Sequence, residues 1–146
     1  MMYCDTSFLI PAFRKEATSN RIQQFLRRQA TGDLAISHWV RVEFSSVLAR
    51  EVRMRAMDAE TAIELDRQFE IVAANAFVII HPDGNDFDLC KRYLRQFDTG
   101  LRAGDAFHLA IAANHGAKKI LSLDKKLLHA GKLLRLPVQA GILGRS

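Results

Sequence analysis

The chain has 146 residues, which fits one domain of 1–146. Hydrophobic residues make up 49% and charged residues 25%, an ordinary soluble globular composition. The formal charge is +5 and the pI is near 9.6, a balance that favours polyanionic partners. No apolar run approaches the roughly 18 residues of a membrane span, so no membrane association is expected. The opening Met-Met-Tyr-Cys-Asp has no basic region followed by an apolar stretch, so no signal peptide is expected either. Cys4 and Cys90 sit in apolar patterns and suggest no disulfide framework, which points to a reducing cytoplasm.

Residues 2–5 read as a short buried strand ending at Asp5. Thr6 and Ser7 offer caps for a short helix through Ile10, and Pro11 sits just beyond it. A helix is predicted over 18–30, with Ile22, Phe25 and Leu26 inward and Gly32 as its stop. Leu34–Ser37 is a second strand and 38–56 a long helix. Asp58 caps another helix, to about Ala74. Phe77–Ile80 is an apolar strand ended by Pro82, and 86–97 is helical. Asp83–Asp88 superficially resembles a calcium loop, but Phe87 offers no acceptor and Gly84 comes too early; helix-start acids explain it better. Ala103–His115 is an alanine-rich helix closed by Gly116. Lys119–Leu123 is a strand, followed by a short helix from Asp124 and a last strand near Leu136–Ala140. Short apolar strands alternating with helices indicate a parallel sheet of four or five strands covered on both faces, a three-layer α/β domain. Ligands of such folds bind outside the carboxyl ends of the strands.

Four acids stand out against this pattern. Asp5 closes the first strand, and Asp124 follows the strand at 119–123; either is also a natural N-cap. Asp105 falls in the first turn of its helix, where the dipole favours an anion. Around it, Gly104 and several alanines let the helix press close to the sheet. Glu43 shares a helical stripe with Val40, Phe44, Val47 and Leu48, which puts a carboxylate on or beside the core-facing side. A charge there needs a partner, either an arginine or a metal. The topology draws all four towards one edge of the sheet, and two divalent cations would neutralise them. An all-oxygen set suits Mg²⁺ or Mn²⁺. Zinc is not expected, because no closely spaced Cys/His set occurs and the histidines are scattered. His108, three residues after Asp105, is within reach of the site, with packing as the favoured role. Ser122, two residues before Asp124, adds a hydroxyl on the same side of the chain.

Asp5-Thr6-Ser7-Phe8-Leu9-Ile10, Glu43, Leu101–Ala110 with its Leu-Arg-Ala-Gly-Asp-Ala core, and Leu121-Ser122-Leu123-Asp124-Lys125-Lys126-Leu127 together resemble a PIN domain. More closely they resemble the VapC group of toxin ribonucleases, over essentially the whole chain. Ser122 stands where many members have Thr, which keeps the hydroxyl. Asp98 is a further acid near the motif, or only a loop residue. The resemblance implies a PIN-like fold and a Mg²⁺- or Mn²⁺-dependent endoribonuclease, usually a homodimer, held inactive by a cognate antitoxin. It implies metal ligation by Asp5, Glu43, Asp105 and Asp124, with Thr6 and Ser122 orienting ligands or water. Metal-bound water would attack the RNA phosphodiester. Two rivals remain. A haloacid-dehalogenase-like phosphatase would need Asp at Ser7, and a receiver domain would need paired acids after the first strand. The other rival is a catalytically silent PIN-fold module that binds RNA or protein.

Overall fold

The structure is a computed structural model, and residues 1–142 are described. Residues 143–146, included in the one-domain reading, lie outside the described residues. Five strands form one sheet: β1 (Met2–Cys4), β2 (Leu34–Ser37), β3 (Val78–Ile80), β4 (Lys119–Leu121) and β5 (Val138–Gln139). Their order is β3-β2-β1-β4-β5, and every neighbouring pair is parallel. All four residues of β2 are buried although successive side chains point to opposite faces, so the sheet is covered on both sides. This is the expected α/β architecture at the upper strand count.

Seven helices connect the strands: α1 (Thr6–Phe13), α2 (Ser19–Arg27), α3 (His38–Arg53), α4 (Ala59–Ala76), α5 (Gly84–Leu94), α6 (Ala103–Asn114) and α7 (Lys125–Leu133). None is long and apolar enough to cross a membrane. The chain runs from β1 outward to β3, then returns to the other side of β1 with β4 and β5. The order therefore reverses between β1 and β4, the place where crevices open at the carboxyl ends of such sheets.

Several boundaries differ from expectation. Helix α1 continues through Pro11 to Phe13: Pro11 is buried with Phe8 and Leu9 in a helix that packs on α2 and α3, and this packing offsets the backbone bond an interior proline cannot make. Its cap is Asp5, not Thr6 or Ser7: the Asp5 carboxylate accepts from the Phe8 N–H at 3.0 Å. Helix α5 begins at Gly84, ahead of the expected 86. Asp83 and Asp86 form a reciprocal capping box that offsets the low helix preference of glycine. It also ends at Leu94, and Phe97–Thr99 is a separate 3-10 turn. The acids of 83–88 thus act at a helix start, as the sequence suggested. Strand β4 ends at Leu121, two residues early, leaving Ser122 and Leu123 as the connection into α7.

Candidate functional site

Asp5 follows β1 directly, and its backbone N–H donates to the Leu121 carbonyl at 3.0 Å. That bond extends the β1–β4 pairing by one step and sets Asp5 beside the end of β4. There the Ser122 hydroxyl donates to Asp5 Oδ2 at 2.6 Å, and the Ser7 hydroxyl donates to Oδ1 at 2.8 Å. Asp5 is only 3% exposed. Burial pushes its carboxyl above the ordinary value, while the charge of His108 and the bonds from Ser122, Ser7 and the Phe8 N–H pull the other way. Ser122 also accepts from the Asp124 N–H at 3.0 Å, so one hydroxyl joins two of the four acids. Asp124 caps α7, accepting from the Lys126 N–H at 2.8 Å through Oδ1.

Glu43 reaches the same region from α3. Its Oε1 accepts from the Thr6 hydroxyl at 2.7 Å and pairs with Nε2 of His108. The partner of this half-buried carboxylate is therefore a histidine on α6, not an arginine. Burial opposes the charge on Glu43, but the hydrogen bond and charge of His108, with the Thr6 hydroxyl, hold its carboxyl below the ordinary value. Burial also opposes charge on His108, yet the bond and charge of Glu43, with Asp5 and Asp105 nearby, raise its pKa. His108 fills the core as expected, at 2% exposed, and does more than that. Its Nδ1 lies 2.8 Å from the Tyr3 hydroxyl, which lies 2.8 Å from Ser37 Oγ. A buried chain of polar groups thus runs from the end of β2 through Tyr3 and His108 to Glu43. On the other side of Glu43, a Cβ on Gly104 would lie 3.1 Å from Oε2, so the absent side chain leaves room for the carboxylate.

Asp105 stands in the first turn of α6 and accepts no hydrogen bond among the described residues. Burial lifts its pKa to about 6, with Asp124, Asp5 and Glu43 adding to the rise and His108 opposing it. Asp5, Glu43, Asp105 and Asp124, with Thr6, Ser7 and His108, line one open pocket of about 270 Å³. Ser7, Tyr3 and His108 are the residues that reading the sequence did not assign to the site. Asp98 is exposed on the 3-10 turn and is absent from the pocket's lining.

A family model for the PIN domain matches residues 2–133. The chain belongs to the PIN domain family. Solved structures similar to this PIN domain include the FitAcB structure from Neisseria gonorrhoeae, at TM-score 0.75 and 17% identity, covering 97% of this chain and 98% of that one. The VapC20 toxin of Mycobacterium tuberculosis, described as cleaving the sarcin-ricin loop, matches at TM-score 0.66 and 16% identity, over 90% and 95% of the two chains. VapBC2 from Rickettsia felis, bound to a promoter DNA fragment, matches at TM-score 0.65 and 14% identity, over 95% and 98%. Comparison with curated proteins finds no match.

Among the described residues of this PIN domain, no group of three or more His, Cys, Asp or Glu side chains is arranged to hold a metal ion as they stand. In this arrangement Asp5 turns both oxygens to internal donors, and Glu43 and Asp124 each turn one. Glu43 Oε2, Asp124 Oδ2 and the whole Asp105 carboxylate remain available, and a carboxylate oxygen accepts more than one partner. These are hard oxygen donors, and the raised pKa of Asp105, caused first by burial and then by the neighbouring acids, is a penalty on its charge that a cation would relieve. The donor chemistry fits Mg²⁺ or Mn²⁺.

Proposed function

We propose that this PIN domain is a metal-dependent endoribonuclease and the toxin of a toxin–antitoxin pair, with residues 1–146 forming one domain. The observation that carries the reading is the gathering of Asp5, Glu43, Asp105 and Asp124 around one pocket at the switch point of the sheet. Asp5, Glu43, Asp105 and Asp124 would hold Mg²⁺, or Mn²⁺ in its place. The bound cation supplies an acidified water and neutralises charge on the phosphoryl oxygens. The Asp105 carboxylate accepts no hydrogen bond among the described residues, so both of its oxygens are free for the cation. Ser122 and Ser7 hold the Asp5 carboxylate in one orientation, and Thr6 and His108 do the same for Glu43. The proteins named with FitAcB, VapBC2 and VapC20 support a cognate antitoxin as partner and RNA as substrate. Exposed Val42, Ile63 and Ile71 on α3 and α4 support protein contacts there, including a homodimer. A cytoplasmic location goes with this reading.

The silent-module alternative draws on one observation, the internal hydrogen bonds that occupy Asp5 and Glu43. One experiment separates the two. Purified protein free of antitoxin is assayed on RNA with Mg²⁺ or Mn²⁺, with EDTA, and as Asp5→Asn and Asp105→Asn. Cleavage that needs the cation and both acids is expected. Cleavage that survives EDTA or both substitutions would sink the metal-nuclease reading, and RNA binding without cleavage by the unaltered chain would favour the silent module.

A further inference from the structure

A second pocket, of about 610 Å³, adjoins the one just described and shares Asp105 and Asp124 with it. Its chemistry is opposite. The first pocket has no Lys or Arg in its lining, whereas Arg102, Lys125, Lys126 and His129 line the second. Arg102, Lys125 and Lys126 are exposed, and among the described residues none of the four forms an ion pair. Cations gathered beside a carboxylate cluster, yet not neutralised by it, are available to an anion that reaches both places.

The rest of the wall adds a different kind of surface. Thr99 and Gly100 line the second pocket, and the 3-10 turn Phe97–Thr99 packs against α7. Phe97, on that turn, is 86% exposed, the highest value among the exposed large hydrophobic side chains. Phe97 itself is not in the pocket's lining, but it sits two residues before Thr99 on the turn that supplies part of the wall. An exposed ring on that turn, with unpaired cations along the wall, suits a nucleotide, which presents a flat base and a phosphate together. The α6 N-terminus opens on the same side. Its cap residue, Arg102, makes no side-chain hydrogen bond to the first turn, so those N–H groups keep their donor capacity.

Resting on the nuclease reading, we propose that the second pocket is a subsite for the nucleotide next to the scissile phosphate in single-stranded RNA. Arg102, Lys125 and Lys126 hold its phosphate, and Phe97 stacks on its base. The substrate then extends to one side of the carboxylates, where the cations are. Phe97 acts on substrate binding and takes no part in the chemical step.

The test is steady-state cleavage, with Mg²⁺, of a fluorescein-labelled single-stranded RNA decamer of mixed sequence. The purified chain is compared with Phe97→Ala and with Lys125→Ala/Lys126→Ala, whose exposed positions leave the fold intact, as checked by circular dichroism. KM should rise about fivefold or more for each variant, the low end of one lost stacking contact, while kcat stays within about twofold. The lysine variant should also show a shallower salt dependence of kcat/KM, by about 0.7 in log–log slope per lost phosphate contact. A dinucleoside monophosphate, whose single phosphate is the scissile one, should erase the effect of the lysine variant while keeping that of Phe97→Ala. Cleavage by the unaltered chain with unchanged KM in both variants would overturn the subsite and leave the nuclease reading standing. A fall in kcat alone would overturn it equally. If the unaltered chain cuts no RNA with either cation, the nuclease reading fails and the subsite with it.

Discussion

Gly104 sets how closely Glu43 can lie against α6. An added Cβ would come within 3.1 Å of Glu43 Oε2 and 3.8 Å of the Trp39 ring. The carboxylate is the flexible end of a side chain, so it can retreat by a few tenths of an ångström at small cost. Alanine also has a helix preference better than glycine by up to about 1 kcal/mol. Gly104→Ala should therefore unfold at the same urea concentration as the parent or slightly higher, yet cleave RNA more slowly, because Glu43 is displaced. A variant that is both less stable and fully active would show that the gap serves packing alone. Asp86 carries a separate residue-scale prediction. Burial opposes its charge, but the bonds from Asn114, the Asp83 N–H and His115 outweigh that and hold its pKa below the ordinary value of 3.8. A lowered acid stabilises the fold at neutral pH and loses that contribution as the pH falls below the unfolded value and through the folded one. The stability gap between the parent and Asp86→Asn should therefore be full above about pH 5 and shrink below pH 4, measured by urea unfolding across that range. A gap independent of pH would mean that shape, not charge, is what Asp86 supplies.

At the scale of elements, α7 and β5 are locked by a missing side chain. A Cβ on Gly131 would meet Val138 Cγ1 at 2.4 Å, inside any normal contact. Val138 is buried at the sheet edge and cannot swing out freely. Gly131→Ala should cost roughly 1–3 kcal/mol, the usual penalty of overpacking. Adding Val138→Ala should return part of that loss, a coupling readable in a double-mutant cycle. Simple additivity of the two changes would show that the helix had moved instead. Periodicity and turn chemistry made most elements legible, since Gly32, Asp58, Pro82 and Gly116 are local signals. Some misjudged ends, such as the α5 start with its Asp83–Asp86 capping box, turn on neighbours in sequence, and others on distant packing. Pro11 stays helical in a helix packed against α2 and α3, and the Ser122 hydroxyl just past β4 bonds to Asp5, 117 positions away. The same limit applied to the site. The four acids announced themselves by standing at strand ends or on an apolar stripe. Ser7 reads as a helix-start hydroxyl, and Tyr3 and His108 read as core; only the fold brings their polar atoms onto Asp5 and Glu43.

For the whole molecule, strand order is what turns scattered acids into one site. Residues near 5, 43, 105 and 124 meet because β1 lies between β2 and β4, with α3 leaving β2 and α6 entering β4. The result is a partly buried patch of negative charge on a chain of net charge +5, and burial first, with the neighbouring acids second, lifts Asp105 to about 6. A protein built this way should gain stability when that penalty is relieved. A cation that binds the folded site and ignores the unfolded chain stabilises by about 2.7 kcal/mol at a hundredfold excess over its Kd. For a domain of this size that is roughly 5–10 °C in Tm. Thermal unfolding in EDTA should therefore occur below unfolding in millimolar Mg²⁺ or Mn²⁺. The Asp5→Asn/Asp105→Asn variant should unfold at nearly the same temperature in both, because two of the donors and half of the formal charge are gone. Its Tm in EDTA should also exceed the parent's, since two carboxylates whose charge is opposed by burial, and at Asp105 also by neighbouring acids, are removed along with their ligand function. If the variant still responds to the cation as strongly as the parent, the ion is bound elsewhere on the molecule and the carboxylates need another partner.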